Sequence, residues 1–327
     1  MRPGAGTDRD HALPPQLSVV VPMFDEEAVI GMFVDRLRPV LDDLGQSYEV
    51  VVVDDGSRDT TPALLEKARR DWPQLRVIRL RANAGHQAAL SAGLMRARGN
   101  WVATIDADLQ DPPETIAEML TAAREQSADV VYGVRNDRTT DSAFKRLTAD
   151  GYYRMIRRLV GHHVPADAGD FRLMSRATVD AVNRLPAQNR VLRLVVPALG
   201  FPSAQVGYRR EERAAGTTKY PLSRMIRLTV DSLTGFSVAP LRLATYFGLG
   251  GALVTAVLFA VAIVAFLTDH TLPGWTSTFV VVAGVGAVQL LCLGLLGEYV
   301  GRLYTQLQGR PTYHIAYDSF EWDPEEN

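Results

Sequence analysis

Cysteine is nearly absent: Cys292 is the only one in 327 residues, so no intrachain disulfide can form. Without covalent staples the fold must rest on an apolar core, as in proteins that face a reducing compartment. A basic excess is missing too. The formal net charge is -2, and without surplus Lys and Arg to neutralise a phosphate backbone, nucleic acid is excluded as a partner. The first apolar run continues into VPMFDEEAV with no GxGxxG, and no GxxxxGK[ST] occurs. Dinucleotide-dependent hydride transfer and P-loop ATP hydrolysis therefore fall away. Residues 1–16, rich in Pro, Gly, Asp and Arg, hold no apolar stretch long enough for a secretory signal and read as a disordered tail.

What is present is an alternation. LSVVVPMF (17–24), YEVVVVDD (48–55), RVIRL (76–80), WVATIDAD (101–108) and DVVYGVR (129–135) read as strands. Between them, residues 28–44, 60–70, 86–97 and 113–126 carry apolar residues at helical spacing. Strand and helix in turn imply right-handed βαβ units, hence an α/β domain over residues 17–220 with a mainly parallel, Rossmann-like sheet covered on both faces. Ligands of such sheets sit at the carboxyl ends of the strands.

Three acidic clusters fall at those ends: FDEE after the first strand, DDGS after the second and DADLQD after the fourth. Capping of helix starts accounts for one such cluster, but not for three on one rim. Crowded carboxylates raise each other's pKa values or attract a cation. Read as an extended strand, DADLQD puts Asp106, Asp108 and Gln110 on one side. Such hard oxygens suit Mg2+ or Mn2+, which keep several positions for water and substrate phosphates, so a nucleoside diphosphate bridged by the metal fits. Asp111 reads as a cap for the helix that begins at Pro112 and Pro113.

The last third changes character. Residues 246–267 and about 276–297 carry no charge, and each run matches the roughly 20 apolar residues needed to cross a bilayer. They read as a transmembrane hairpin over 246–300. Arg224, Arg227 and Arg242 precede the pair, Arg302 and Arg310 follow it, and TDHTLPG between the runs has neither Lys nor Arg. The positive-inside rule then puts both termini and the α/β domain in the cytosol, with 301–327 as a cytosolic tail. Residues 221–245 read as amphipathic juxtamembrane helices resting at the interface. Glycine ridges at Gly248, Gly250 and Gly251 and at Gly294, Gly297 and Gly301 suit close helix packing, within the hairpin or between protomers of a homo-oligomer.

The motifs VVVPMFDEE, VVVDDGSRD, NAGHQAALSAG, TIDADLQDPPE, VVYGVR, GDFRLMSR, RAAGTTKYPL, FSVAPLR and GLLGEYVGRLY run in that order through nearly the whole chain. In this series the chain resembles glycosyltransferase family 2, and within it the membrane polyprenyl-phosphate glycosyltransferases. The resemblance implies a GT-A fold that binds a UDP- or GDP-sugar and a polyprenyl phosphate. By that likeness Pro22, Phe24, Glu26, Asp54 and Asp55 line the nucleoside pocket, and Asp55 accepts a hydrogen bond from the base. Asp106 and Ala107 lie against ribose and diphosphate, Asp108 and Gln110 hold the metal, and Arg135, Arg213 and Lys219 surround the diphosphate. Asp170 sits close to the reacting sugar, as a base or as a positioning group.

A departing nucleoside diphosphate gathers negative charge in the transition state, where a metal and fixed cations stabilise it most. The acceptor, a phosphate monoester already largely dianionic at neutral pH, needs aiming more than deprotonation. Lys145 and Arg146 are candidate clamps for its phosphate. His86 opens a helix and is read equally as a phosphate contact or as packing. The expected reaction is inverting, metal-dependent transfer of one hexose to undecaprenyl or decaprenyl phosphate at the cytosolic face. A processive polysaccharide synthase and an inactive membrane-anchored scaffold are the rival readings. Ala84 and Leu194 depart from the family pattern near the sugar and acceptor regions, so the residues leave the donor open.

Overall fold

β1 (Leu17–Met23) and β2 (Tyr48–Asp54) are Val-rich, and β1 is buried at every position. Continuous burial of this kind belongs to central strands of a sheet covered on both faces. The computed structural model describes residues 14–135, 168–185, 191–211, 239–268 and 274–320. Among them β3 (Leu75–Leu80), β4 (Trp101–Thr104), β5 (Val130–Arg135), β6 (Ala168–Ser175), β7 (Ser203–Tyr208) and β8 (Ile315–Asp318) complete one sheet, in the order β7-β5-β6-β4-β1-β2-β3-β8. β4, β1, β2 and β3 run parallel to one another, as does β5 to β7. β6 lies antiparallel between β4 and β5, and β8 lies antiparallel on β3.

Helices close both faces. On one, α1 (Ile30–Asp43) turns Ile30, Phe33, Leu37 and Leu41 inward at helical spacing, beside α2 (Thr61–Asp71) and α4 (Thr115–Glu125). On the other, α3 (His86–Arg96) covers Val20 and Val53, while α5 (Arg176–Arg184) and α6 (Leu192–Ala198) pack along β6 in the same apolar cluster. Gly93 of α3 lets that helix approach closely, since a Cβ there would stand 2.3 Å from Val20 Cγ1. The expected GT-A α/β architecture is the one observed.

Two expectations need correction. The fourth strand stops at Thr104 rather than Asp108, so Asp106, Asp108 and Gln110 lie in a turn and not on an alternating strand. Leu109, at φ 58°, makes that turn. The segment read as a C-terminal tail also contributes structure, because Ile315–Asp318 forms the edge strand β8.

Residues 220–310 form a second compact unit. In it α7 (Ala239–Leu267) and α8 (Trp275–Leu307) are long and apolar, and the windows Ala244–Val261 and Gly284–Thr305 reach mean hydropathy 1.8 and 1.4. Neither window is buried, and Leu249, Leu253, Phe259, Leu290 and Leu291 each expose about two thirds or more of their surface. The helices touch each other where Cys292 Sγ lies 3.7 Å from the Ala244 carbonyl. A Cβ on any of the six ridge glycines would meet nothing within 4 Å among the described residues.

Candidate active site

The β1–α1 and β2–α2 turns are stitched together by their own polar groups. Asp25, at φ 53°, accepts the Arg58 N–H at 2.8 Å and gives its own N–H to Ser57 Oγ at 2.9 Å. The Glu26 N–H reaches Thr61 Oγ1 at 2.9 Å, and Glu27 accepts from the Thr60 N–H at 3.1 Å. Asp54, wholly buried, accepts the Ser57 N–H at 2.8 Å and pairs with Arg79 at 3.2 Å. Asp55 accepts the Ala84 and Gly85 N–H groups at 2.7 and 2.8 Å; burial nevertheless pushes its carboxyl above the usual range. Pro22 is buried in β1, and Phe24 and Glu26 stand half-buried just beyond it. Much of the acidity of FDEE and DDGS is thus spent on holding loops at the carboxyl rim, with Asp55 reaching across to the loop after β3.

The turn after β4 carries the densest negative charge. Asp106 is pushed up to about 6, chiefly by burial and also by Asp170, Asp111 and Asp108, against the relief offered by His86. Asp108 Oδ1 accepts the Gln110 N–H at 3.1 Å. Gln110 Oε1 accepts from the Arg210 guanidinium, and its carbonyl accepts the Glu211 N–H at 3.0 Å. Ala107 is buried beneath the turn. Asp111 does not cap the helix as expected: buried at 3% exposure, it accepts the Tyr208 hydroxyl and lies 3.9 Å from Arg135. Arg135 in turn donates to Tyr208 at 3.3 Å, and so stands beside the acidic turn.

Among the described residues no three His, Cys, Asp or Glu side chains converge as a self-sufficient metal cage. The donors offered are hard oxygens too few to complete a shell. Such a set fits Mg2+ or Mn2+, which fill the remaining positions with water and substrate phosphate.

The third element of the rim comes from β6. Because β6 runs antiparallel to β4, with Thr104 opposite Arg172, its beginning lies beside the end of β4. Asp170 therefore arrives next to Asp106. Its Oδ1 accepts from Arg172 at 2.8 Å and its Oδ2 from Gln87 at 3.0 Å, while His86 Nε2 lies 3.3 Å from Oδ2 and 3.6 Å from Asp106 Oδ1. Arg172, 1% exposed, also donates to the carbonyls of Leu192 and Gly169, both at 2.9 Å. Gln87 Oε1 accepts the Leu192 N–H at 2.9 Å, so Gln87 and Arg172 together grip Asp170 and the start of α6. Burial works against the Asp170 charge, but the His86 hydrogen bond and then the charges of Arg172 and Arg193 hold its carboxyl well below the usual range.

The structure thus gathers Asp106, Asp108, Gln110, Asp170 and Arg135 along one stretch of rim, with Asp55 reaching it through Gly85 and His86. Lys145, Arg146, Arg213 and Lys219 lie outside the described residues. Gln87, Arg193, Tyr208 and Arg210 were not legible as site residues, and Arg172 was legible only as a partner for Asp170. The one sequence signal for Arg172 was its place two residues after Asp170, an alternation that puts both on one strand face.

A sheet covered on both faces, with acidic turns on its carboxyl rim, is the build of an α/β domain that takes its ligand at the strand ends. The chain belongs to glycosyltransferase family 2, whose model matches residues 18–182. YkcC of Bacillus subtilis (strain 168), an uncharacterized glycosyltransferase, is 41% identical over 92% of this chain and 93% of its own. The SfII prophage-derived bactoprenol glucosyl transferase of Shigella flexneri is 35% identical over 92% of this chain and 97% of its own. Among solved structures, glucosyl-3-phosphoglycerate synthase from Mycobacterium tuberculosis overlaps at TM-score 0.47 and 20% identity, over 67% of this chain and 78% of that one.

Proposed function

We propose that the protein transfers one hexose, with inversion, from a UDP- or GDP-sugar to a polyprenyl phosphate at the cytosolic face of a membrane. The observation that carries this reading is the meeting of Asp106, His86 and Asp170 on the rim of a family 2 fold. Support for the acceptor comes from the full-length likeness to a bactoprenol glucosyl transferase. Support for the membrane comes from α7 and α8, whose apolar side chains are exposed where a soluble core helix would bury them. In this reading both helices span the bilayer and both termini are cytosolic.

Pro22, Phe24, Glu26, Asp54 and Asp55 serve the nucleoside, directly or by shaping its loops. Asp106 and Ala107 meet the ribose and diphosphate. Asp108 and Gln110 would hold Mg2+ or Mn2+, which when bound neutralises charge on the departing diphosphate. Arg135 adds a fixed cation there, joined by Arg213 and Lys219. Lys145 and Arg146 clamp the acceptor phosphate. Asp170 positions rather than deprotonates: a carboxylate held so far below its usual range is a weak base. The acceptor, already largely dianionic, requires none.

Incubating membranes that contain the protein with labelled UDP- and GDP-hexoses and undecaprenyl or decaprenyl phosphate tests this. The expected product is organic-soluble and acid-labile, and disappears with EDTA or with Asp108→Ala. Labelled lipid that persists under both treatments sinks the metal assignment. An organic-insoluble polymer would indicate a processive synthase instead, and calorimetry without any nucleotide binding would indicate a scaffold.

A further inference from the structure

We infer that His86 is a positioning residue for the transfer: its imidazole ties the donor-side Asp106 to the acceptor-side Asp170 and fixes the spacing of the two carboxylates across the reacting groups. The inference deepens the hexosyl-transfer reading and rests on it for the words donor and acceptor. Nε2 stands 3.6 Å from Asp106 Oδ1 and 3.3 Å from Asp170 Oδ2. Asp106 lies in the turn after β4, Asp170 lies in β6, and His86 comes from a third element, α3.

The placement of His86 is built rather than incidental. It is the first residue of α3, and the residue before it, Gly85, adopts φ 95°, a conformation that side-chain-bearing residues rarely take. Asp55 holds the N–H groups of Ala84 and Gly85, so the nucleoside-side carboxylate sets where α3 begins. Gln87, the next residue, donates to the same oxygen of Asp170. A chain of contacts thus runs from Asp55 through Gly85 and His86 to Asp106 and Asp170.

A cation suits that place. The groups facing the imidazole are Asp106 and Asp170, with Asp55 behind the helix start and Arg193 opposing from α6, 3.9 Å from Asp170. Burial alone would drive a histidine neutral. The Asp170 hydrogen bond and the two negative charges outweigh burial and the opposing Arg193, and raise His86 above the ordinary value.

The test compares His86→Gln, which keeps an N–H and loses the charge, with His86→Lys, which keeps the charge. Misplacing reacting groups by about an ångström costs up to roughly a hundredfold, so His86→Gln is expected to lower kcat by about ten- to a hundredfold while donor KM moves less than about threefold. His86→Lys is expected to recover most of that loss. The wild-type rate is expected to fall as pH rises and His86 loses its proton, and His86→Lys is expected to lack that fall. Wild-type kcat in His86→Gln overturns the inference. So do equally slow Gln and Lys variants that melt like the wild type.

A second readout needs no turnover. In the full chain in lipid nanodiscs, an NMR titration of the 6 histidines identifies His86 by its loss in His86→Gln. Its pKa is expected to fall when Asp170→Asn is introduced, and an unchanged value overturns the contact whatever the reaction. A fall in that pKa, with no product from any donor in the wild type, refutes hexosyl transfer and leaves the His86 brace standing.

Discussion

Asp318 secures the far edge of the catalytic sheet, and Asp318→Ala measures what that edge contributes. Arg76 donates to it twice, Nε to Oδ1 at 3.0 Å and Nη2 to Oδ2 at 2.7 Å, and the side chains are only 8% and 1% exposed. The Phe320 ring lies under the guanidinium of Arg76 at 4.7 Å and of Arg98 at 4.2 Å, shielding the pair further. Removing one member of a buried pair leaves the other's charge uncompensated, at about 3–5 kcal/mol. For a domain of this size 1 kcal/mol moves Tm by about 2–4 °C, so the full loss amounts to about 6–20 °C. Docking of β8 caps that loss, because a strand that peels away costs no more than its own attachment. Two measurements therefore belong together: thermal unfolding in a fixed detergent, and hydrogen exchange at the Arg81 and Ser319 amides. These amides bond to the His314 and Val77 carbonyls at 2.8 and 2.9 Å. Asp318→Ala is expected to lower Tm and speed both exchanges, and the apolar pair Arg76→Met with Asp318→Leu to recover most of the Tm. A Tm within about 1 °C of wild type, with Ser319 still protected, would refute the reasoning.

Three further outcomes follow from the same geometry. Gly93→Ala drives a methyl to 2.3 Å from Val20 Cγ1 and 3.1 Å from Val53 Cγ2, so chemical denaturation should show a loss of about 1–3 kcal/mol; unchanged stability would mean α3 sits farther from the sheet. Tyr208→Phe deprives the buried Asp111 of its hydroxyl partner and frees Arg135 Nε, which should cost about 1–3 kcal/mol and raise donor KM, and an unaltered melt argues against that bond. Asp170 is held below its ordinary value, so its stabilising effect is present above about pH 4 and fades as pH falls toward the lower native value. Asp170→Asn should therefore be less stable than wild type at pH 7, with the gap closing on acidification; a gap constant with pH would show that the charge is not the cause.

The alternation of apolar runs and helical spacing made β1 to β5 and α1 to α4 legible, because each element's burial repeats with its own local period. Boundaries near the chemistry were harder. IDAD continues the apolar pattern of a strand, yet the backbone turns at Leu109, a conformation that no side-chain period announces. β7 alternates exposed and buried residues, but it pairs with β5 only after a long stretch of chain that includes β6. β8 is only four residues long and follows a helix read as a membrane span, so nothing nearby marked it as part of the sheet.

The amino-acid order alone determined that this is a two-faced α/β sheet with acids on its carboxyl rim and two long uncharged apolar runs after it, because composition and period act over neighbouring residues. Tertiary structure decided which of those acids work together. Asp170 meets Gln87 across 83 residues only because β6 inserts antiparallel beside β4. That insertion also buries Arg172 beneath the pair and sets His86 between two carboxylates. Contacts of such long range depend on the order of strands in the sheet, and local sequence carries no record of that order.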